Sequence, residues 1–416
     1  MIKFIFFILN IVGIFSQPTM VYLINRHGVR EARDTSVYEG GALLLNSAYE
    51  RLYTKGVHIR QIYPIISQKY NPIDLRVNSS GWERTITTAS GIVAGIYGQN
   101  DTRQIPVYSS PPFIDWTLYN YDKCPQFDQR VQEFQASVEW QDKEKMYQNL
   151  TQYLNDLLKP KTKITLANIY STWDLYWIQR NRPEITISIP QIDDLIYIQL
   201  TGATYWVETT KYSQKISGEY LGATLRTAVK YRMDMAIKDD KVFGHKMFIS
   251  STHYPTQLNF LASLGYNGMV SKMIPDYNSV IAVELYKKAT FPSGWSVKLK
   301  YWDGELSSHI PIVMRWCQEG SDCEIDYTEF WSQYKDVNLL EWCDKCKSTM
   351  MLCVGAQSEV VIQNSTTNVI NMRESNLVQI GLSVTILVFV IMNFMMIVVR
   401  FFKKQNHDHH EQINIV

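Results

Sequence analysis

The sequence predicts an α/β fold, a three-layer arrangement of a sheet flanked by helices, with an inserted, mostly helical cap subdomain and a single C-terminal transmembrane helix. Three observations carry this. Short β-branched and apolar runs stop abruptly at polar turns, and helical patterns follow them. A stretch richer in charge and aromatic residues, about 124–212, interrupts that alternation with helical patterning alone. Near its end the chain carries an apolar run of membrane-spanning length.

The elements follow in order. Behind Lys3, a run of about a dozen mostly apolar residues reaches Phe15, and the small Ser16 precedes Gln17. That is the layout of a secretory signal peptide cleaved near Ser16; a buried first strand is the competing reading. Residues 19–25, TMVYLIN, suit a buried strand that stops at Arg26-His27-Gly28. Residues 42–63 pattern as a helix, 74–78 as a strand ending in SSGWER, 84–97 as a buried helix, and 105–108 as a strand running into Pro111-Pro112. After the cap, 219–238 pattern as a long amphipathic helix and 246–250, KMFIS, as a strand that ends at Ser251-Thr252-His253. The sequence has no internal repeat, low-complexity tract or glycine-rich phosphate loop.

Residues 377–399 are apolar apart from Gln379, Ser383, Thr385 and Asn393, and Arg400, Lys403 and Lys404 follow directly. The length spans a bilayer, and the flanking positive charge sets the tail in the cytosol, giving a type I topology. A removable lipid-anchor signal is disfavoured by the charged tail. The expected organisation is a signal peptide 1–16, an ectodomain 17–376, a span 377–399 and a tail 400–416. On this topology the sequons at Asn78, Asn100, Asn149 and Asn364 face the glycosylation machinery, and the cysteines sit where disulfides persist. His407, His409 and His410 read as a solvated tail, since no second ligand cluster accompanies them.

The 416 residues are 46% hydrophobic and carry 41 basic against 40 acidic side chains, a net charge of +1. Whole-chain disorder is excluded, and so is the global electrostatic footprint of a nucleic-acid binder.

The chemistry is concentrated in Arg26-His27-Gly28-Val29-Arg30, on a turn leaving a strand. Two guanidiniums flanking an imidazole can converge on one tetrahedral oxyanion, and a neutral imidazole can act as a nucleophile toward phosphorus. Taken alone, the five residues also fit a surface loop with two solvated arginines. Arg84 after the second strand and His253 after a later one repeat the same chemistry at separate strand ends, which favours a site.

This ordered set resembles the histidine acid phosphatases, the two-histidine branch of the histidine phosphatase superfamily. Arg26, His27, Gly28 and Arg30 match the family's Arg-His-Gly-x-Arg motif, Arg84 in WERTITTAS is similar to its later arginine, and His253 in FISSTHYPTQ is similar to its second histidine. The resemblance runs over about 19–343. It implies that His27 is phosphorylated, that Arg26, Arg30, Arg84 and His253 hold the phosphoryl oxygens, that phosphate monoesters are the substrates, and that neither cofactor nor metal is needed. It also implies a homodimer, which the residues themselves do not reveal. Signal, ectodomain, one span and short tail resemble the layout of lysosomal-type and prostatic acid phosphatases. The ectodomain then faces the exterior or a lysosomal or vacuolar lumen, although the tail carries no tyrosine for a tyrosine-based sorting signal.

One departure matters. Where the family places a proton-donating aspartate after the second histidine, this chain has Tyr254. A phenol near pKa 10 is a reluctant acid, and losing general-acid help costs about two to four orders of magnitude in rate. Glu31 and Asp34 are nearby carboxylates that can substitute. The alternative is a weak or inactive surface protein that binds phosphorylated ligands without turnover.

Six cysteines allow 15 connectivities. The resemblance implies Cys317 with Cys323, Cys124 with Cys343, and Cys346 with Cys353. Cys343-x-x-Cys346 alone also fits half a zinc site, but no second pair accompanies it.

Overall fold

A computed structural model describes residues 17–31, 43–98, 105–182, 187–240, 242, 244–304, 309–314, 317 and 323–355. The signal peptide, Asp34, the sequons at Asn100 and Asn364, the span 377–399 and the tail histidines lie outside them. No helix among the described residues is long and apolar enough to cross a membrane.

The N-terminal half begins with β1 (Met20–Arg26), α1 (Asn46–Ile62), β2 (Leu75–Ser80), α2 (Glu83–Tyr97) and β3 (Tyr108–Ser110). The helical stretch follows as α3 (Pro125–Gln135), α4 (Val138–Met146), α5 (Gln148–Leu158), α6 (Ile169–Asn181) and α7 (Asp194–Tyr212). A single turn, α8 (Lys215–Ser217), runs through a π turn into α9 (Ala223–Ile237), then β4 (Met247–Thr252) and α10 (Tyr254–Ser263). The chain closes with β5 (Val280–Lys287), β6 (Trp295–Trp302), β7 (His309–Pro311), β8 (Ile325–Asp326), α11 (Tyr327–Ser332) and α12 (Leu339–Cys346).

Among the described residues the sheet runs in the order β3-β2-β4-β1-β5-β6-β7, with β8 also on β6. Strands β3, β2, β4 and β1 are parallel, and β1 meets β5 antiparallel, so the sheet is mixed. All seven residues of β1 are buried. With a side-chain period of two, Met20, Tyr22 and Ile24 pack with Leu225, Val229 and Phe260 from α9 and α10. Val21 and Leu23 pack on the other face with Leu52, Ile59, Ala89 and Ile92 from α1 and α2. Helices on both faces explain why β1 reads as one continuous apolar run; each such buried aliphatic side chain contributes about 1.5–3 kcal/mol. Helices α4 to α7, between β3 and β4 in the chain, enclose their own apolar core around Trp140, Leu154, Trp173 and Leu200.

Three expectations shift. The third strand is Tyr108–Ser110 rather than 105–108, because it is Tyr108 to Ser110 that pair with Asn78 to Ser80. The helix expected over 219–238 opens as a π turn, Gly218–Gly222, where Gly222 is pressed so closely on α10 that an added Cβ would lie 1.8 Å from the Asn259 carbonyl oxygen.

The third is a correction to the cysteines. Cys317–Cys323 forms as expected, but Cys124 pairs with Cys346 and Cys343 pairs with Cys353. Cys343 and Cys346 stand one helical turn apart on α12, so the direction of the helix decides which one reaches the start of α3. Lys347, at φ 51°, turns the chain out of α12. The following segment then meets Cys343, with a bond from the Ser348 amide to the Cys343 carbonyl at 3.2 Å. No cysteine is free, which removes the zinc reading.

Candidate active site

Three adjacent parallel strands deliver the predicted residues to one sheet edge. In the register of β1 and β4, Arg26 lies opposite Thr252, so His27 and His253 emerge side by side one step past the pairing. The His27 amide continues the ladder to the Thr252 carbonyl at 2.9 Å, and the two imidazole centroids stand 5.3 Å apart. On the far side of β4, β2 ends at Ser80, whose hydroxyl lies 2.9 Å from His253 Nε2. The chain then enters α2 with Arg84 in its first turn. Thr88, one turn further, accepts the Gly28 amide at 2.9 Å and so ties α2 to the histidine loop.

His27 is buried, and its Nδ1 lies 2.8 Å from the Gly28 carbonyl oxygen. A carbonyl only accepts, so Nδ1 carries the proton and Nε2 keeps its lone pair. Burial holds the imidazole well below the usual histidine range, and the cations of Arg84, Arg26 and Arg30 with His253 push the same way. These effects disfavour the protonated ring and favour the neutral imidazole that a nitrogen nucleophile requires.

The arginines are held differently. Arg30 Nη1 donates to Asp174 Oδ2 of α6 at 2.9 Å, with both side chains buried, and Tyr277 donates to Asp174 Oδ1 at 2.5 Å. Despite burial, Asp174 raises the Arg30 pKa and keeps it charged. Arg26 does not line the cavity: its Nη1 donates to the Pro275 carbonyl at 2.5 Å, and its guanidinium carbon stands 3.7 Å from the centre of the Tyr277 ring. Arg84 packs over Trp82 at 5.0 Å.

His27, Arg30, Arg84 and His253 line a cavity of about 60 Å³. Its walls are aromatic: Tyr121, Tyr170, Tyr212 and Tyr254. Tyr254 stacks on Tyr170 at 5.2 Å and donates from Oη to Glu208 Oε2 of α7 at 2.5 Å. Burial raises the Tyr254 pKa well above that of a free phenol, and Glu208 raises it further. Glu31 does not line this cavity. Asp174, Glu208, Tyr170 and Tyr277 join the site from outside the predicted set. For Tyr170, Asp174 and Glu208 the one signal is their place in the aromatic-rich stretch 124–212, which singles out no residue; Tyr277 lies outside that stretch and nothing in the sequence marks it. Of the sequons, Asn78 lies within β2, between β3 and β4, while Asn149 is exposed in the first turn of α5.

Comparison with known proteins agrees with this geometry. The family model for the histidine phosphatase superfamily, branch 2, matches residues 32–301, a span that contains Arg84 and His253. Lysosomal acid phosphatase of Xenopus laevis is 21% identical over 365 residues, covering 80% of this chain and 79% of its own length. The phytase of Citrobacter braakii shares the fold with a TM-score of 0.55 at 13% identity, covering 76% of this chain and 96% of its own. Klebsiella sp. ASR1 phytase does so at 0.57 and 12%, covering 78% and 97%. By its sequence match, and in keeping with its fold, the chain belongs to branch 2 of the histidine phosphatase superfamily.

Proposed function

We propose that the protein is an acid phosphatase that hydrolyses phosphate monoesters through a phosphohistidine at His27. The observation that carries this is the His27 tautomer: Nδ1–H is fixed on the Gly28 carbonyl, leaving Nε2 unprotonated at the edge of a cation-lined cavity. The Nε2 lone pair forms the N–P bond as the P–O bond to the alcohol breaks. Water then displaces phosphate from Nε2 and restores neutral His27. Arg30, Arg84 and His253 hold the equatorial oxygens, where charge is spread in the transition state. Arg26 supports them from behind, with Nε and Nη2 not hydrogen-bonded among the described residues.

The wider reading places an ectodomain of residues 17–376 outside the cytosol or in a lumen, anchored by 377–399, with the exposed Asn149 as its glycosylation site among the described residues. The lysosomal acid phosphatase relative supports this setting.

The test is turnover of an aryl phosphate at acid pH, with labelling of the protein by radioactive phosphate. His27→Ala is expected to lower turnover by roughly a thousandfold or more and to abolish the acid-labile label. Undiminished turnover in His27→Ala overturns the mechanism. Tyr254 at the donor position favours a second reading, phosphate binding without turnover, which a calorimetric binding signal with no hydrolysis would support.

A further inference from the structure

The departing alcohol needs a proton, and the family's aspartate position holds Tyr254. Tyr254 does not stand alone: its ring borders the cavity that contains His27, while its hydroxyl is bonded to the Glu208 carboxylate at 2.5 Å. Glu208 in turn borders a second, larger space, a cleft of about 700 Å³ among α3, α4 and α7. One carboxylate thus touches the phenol on one side and the cleft on the other, and it is itself only 6% exposed.

We propose that Glu208 and Tyr254 form a two-residue proton relay that replaces the missing aspartate, with the cleft as the inlet for protons. In acid, the protonated Glu208 donates to Tyr254 Oη, which turns the phenolic proton toward the ester oxygen. As the P–O bond breaks, the leaving oxygen takes that proton and Oη takes the one from Glu208, leaving neutral alcohol, neutral tyrosine and a carboxylate. In the second step water attacks the phosphohistidine and the protons move in reverse: Oη accepts from water and Glu208 accepts from Oη. No free tyrosinate forms, which suits a phenol whose ionisation is suppressed by burial and by Glu208. The ring stack of Tyr170 on Tyr254 holds the phenol ring, and with it Oη, in place while the O–H bond is free to turn.

The charged and titratable groups around the relay come from several elements. Tyr170 of α6 and Tyr212 of α7 act on Tyr254, Lys211 of α7 interacts with Glu208, and Asp128 of α3 interacts with Lys211. Proton delivery needs the carboxylic acid form of Glu208, so it is expected to weaken as pH rises.

The relay rests on the phosphohistidine reading, and the test separates the two. In the purified full chain, Glu208→Gln and Tyr254→Phe are compared with the unaltered protein on p-nitrophenyl phosphate and on an alkyl phosphate, between about pH 4 and 7. Gln keeps an acceptor for the phenol and Phe keeps the stack on Tyr170, so neither variant opens the site. Both are expected to lose about 10²–10³-fold in kcat on the alkyl ester and less than about tenfold on the aryl ester, whose leaving group needs no proton. In Glu208→Gln the decline of alkyl turnover with rising pH should vanish. Equal losses on both esters, unchanged alkyl turnover, or a persisting decline would each overturn the relay while leaving the labelled His27 of the aryl reaction intact. Absence of label at His27 in the unaltered protein overturns the phosphatase reading and the relay together.

Discussion

Asp174 is wholly buried and holds both Arg30 and Tyr277. Asp174→Asn keeps the shape but strands a buried cation, a change that costs about 3–5 kcal/mol. A phosphate dianion in the cavity supplies the missing charge, so inorganic phosphate should raise the melting temperature more in the variant than in the unaltered protein. An equal rise in both would show that Asp174 does not balance the phosphate-binding charge. His27 yields a pH prediction. The unfolded chain takes up a proton near pH 6.5 that the folded imidazole, with its depressed pKa, refuses. Its burden on stability is therefore absent above about pH 6.5 and grows as pH falls below it, by about 1.4 kcal/mol per pH unit until the folded pKa is reached. Denaturant midpoints of His27→Asn should fall less steeply between about pH 7 and 5. At this scale the sequence reveals His27, Arg30, Arg84 and His253, because local motifs at strand ends mark them. Asp174 and Glu208 are silent, since ordinary helical positions become functional only when α6 and α7 dock.

At the level of elements, α1 and α2 cross at two glycines. A Cβ on Gly95 would stand 1.9 Å from the Tyr53 carbonyl oxygen, and one on Gly56 would stand 2.0 Å from that of Ile92. Gly95→Ala must push the helices apart, at about 1–3 kcal/mol of stability. Because α2 carries Arg84 and anchors Gly28 through Thr88, the same substitution should also weaken phosphate binding, measurable by calorimetry beside a denaturant titration. Full phosphate affinity in Gly95→Ala would show that the helix contact serves stability alone. The parallel half of the sheet is legible in the sequence because β1, β2 and β4 each stop at a polar turn. The antiparallel half, β5 and β6, was not part of the expectation, although WSVKLKYW alternates with a period of two. Its role becomes evident only when β5 pairs with β1.

Across the whole molecule, Cys124–Cys346 ties the start of the helical insertion to α12 over a separation of 222 residues. Tryptic cleavage after Lys345 separates Cys343 from Cys346, so an unreduced digest should link the Cys124 peptide to the fragment bearing Cys346, not Cys343. Removing this bridge by Cys346→Ala should cost roughly 2–5 kcal/mol, read from the denaturant midpoint. Resemblance points to the right segment here, but a single helical turn lies beyond its reach. The sheet order has a further consequence, in time. Tyr22 of β1 meets Ser250 of β4 across 228 residues, and among the described residues β1 has no partner strand nearer in sequence. At synthesis rates of about 5–20 residues per second, this strand, fully buried in the folded protein, waits about 10–45 s on the nascent chain before β4 exists to receive it. The strand that leads into His27 therefore stays without β4 through more than half of synthesis, and the two histidines cannot meet before then.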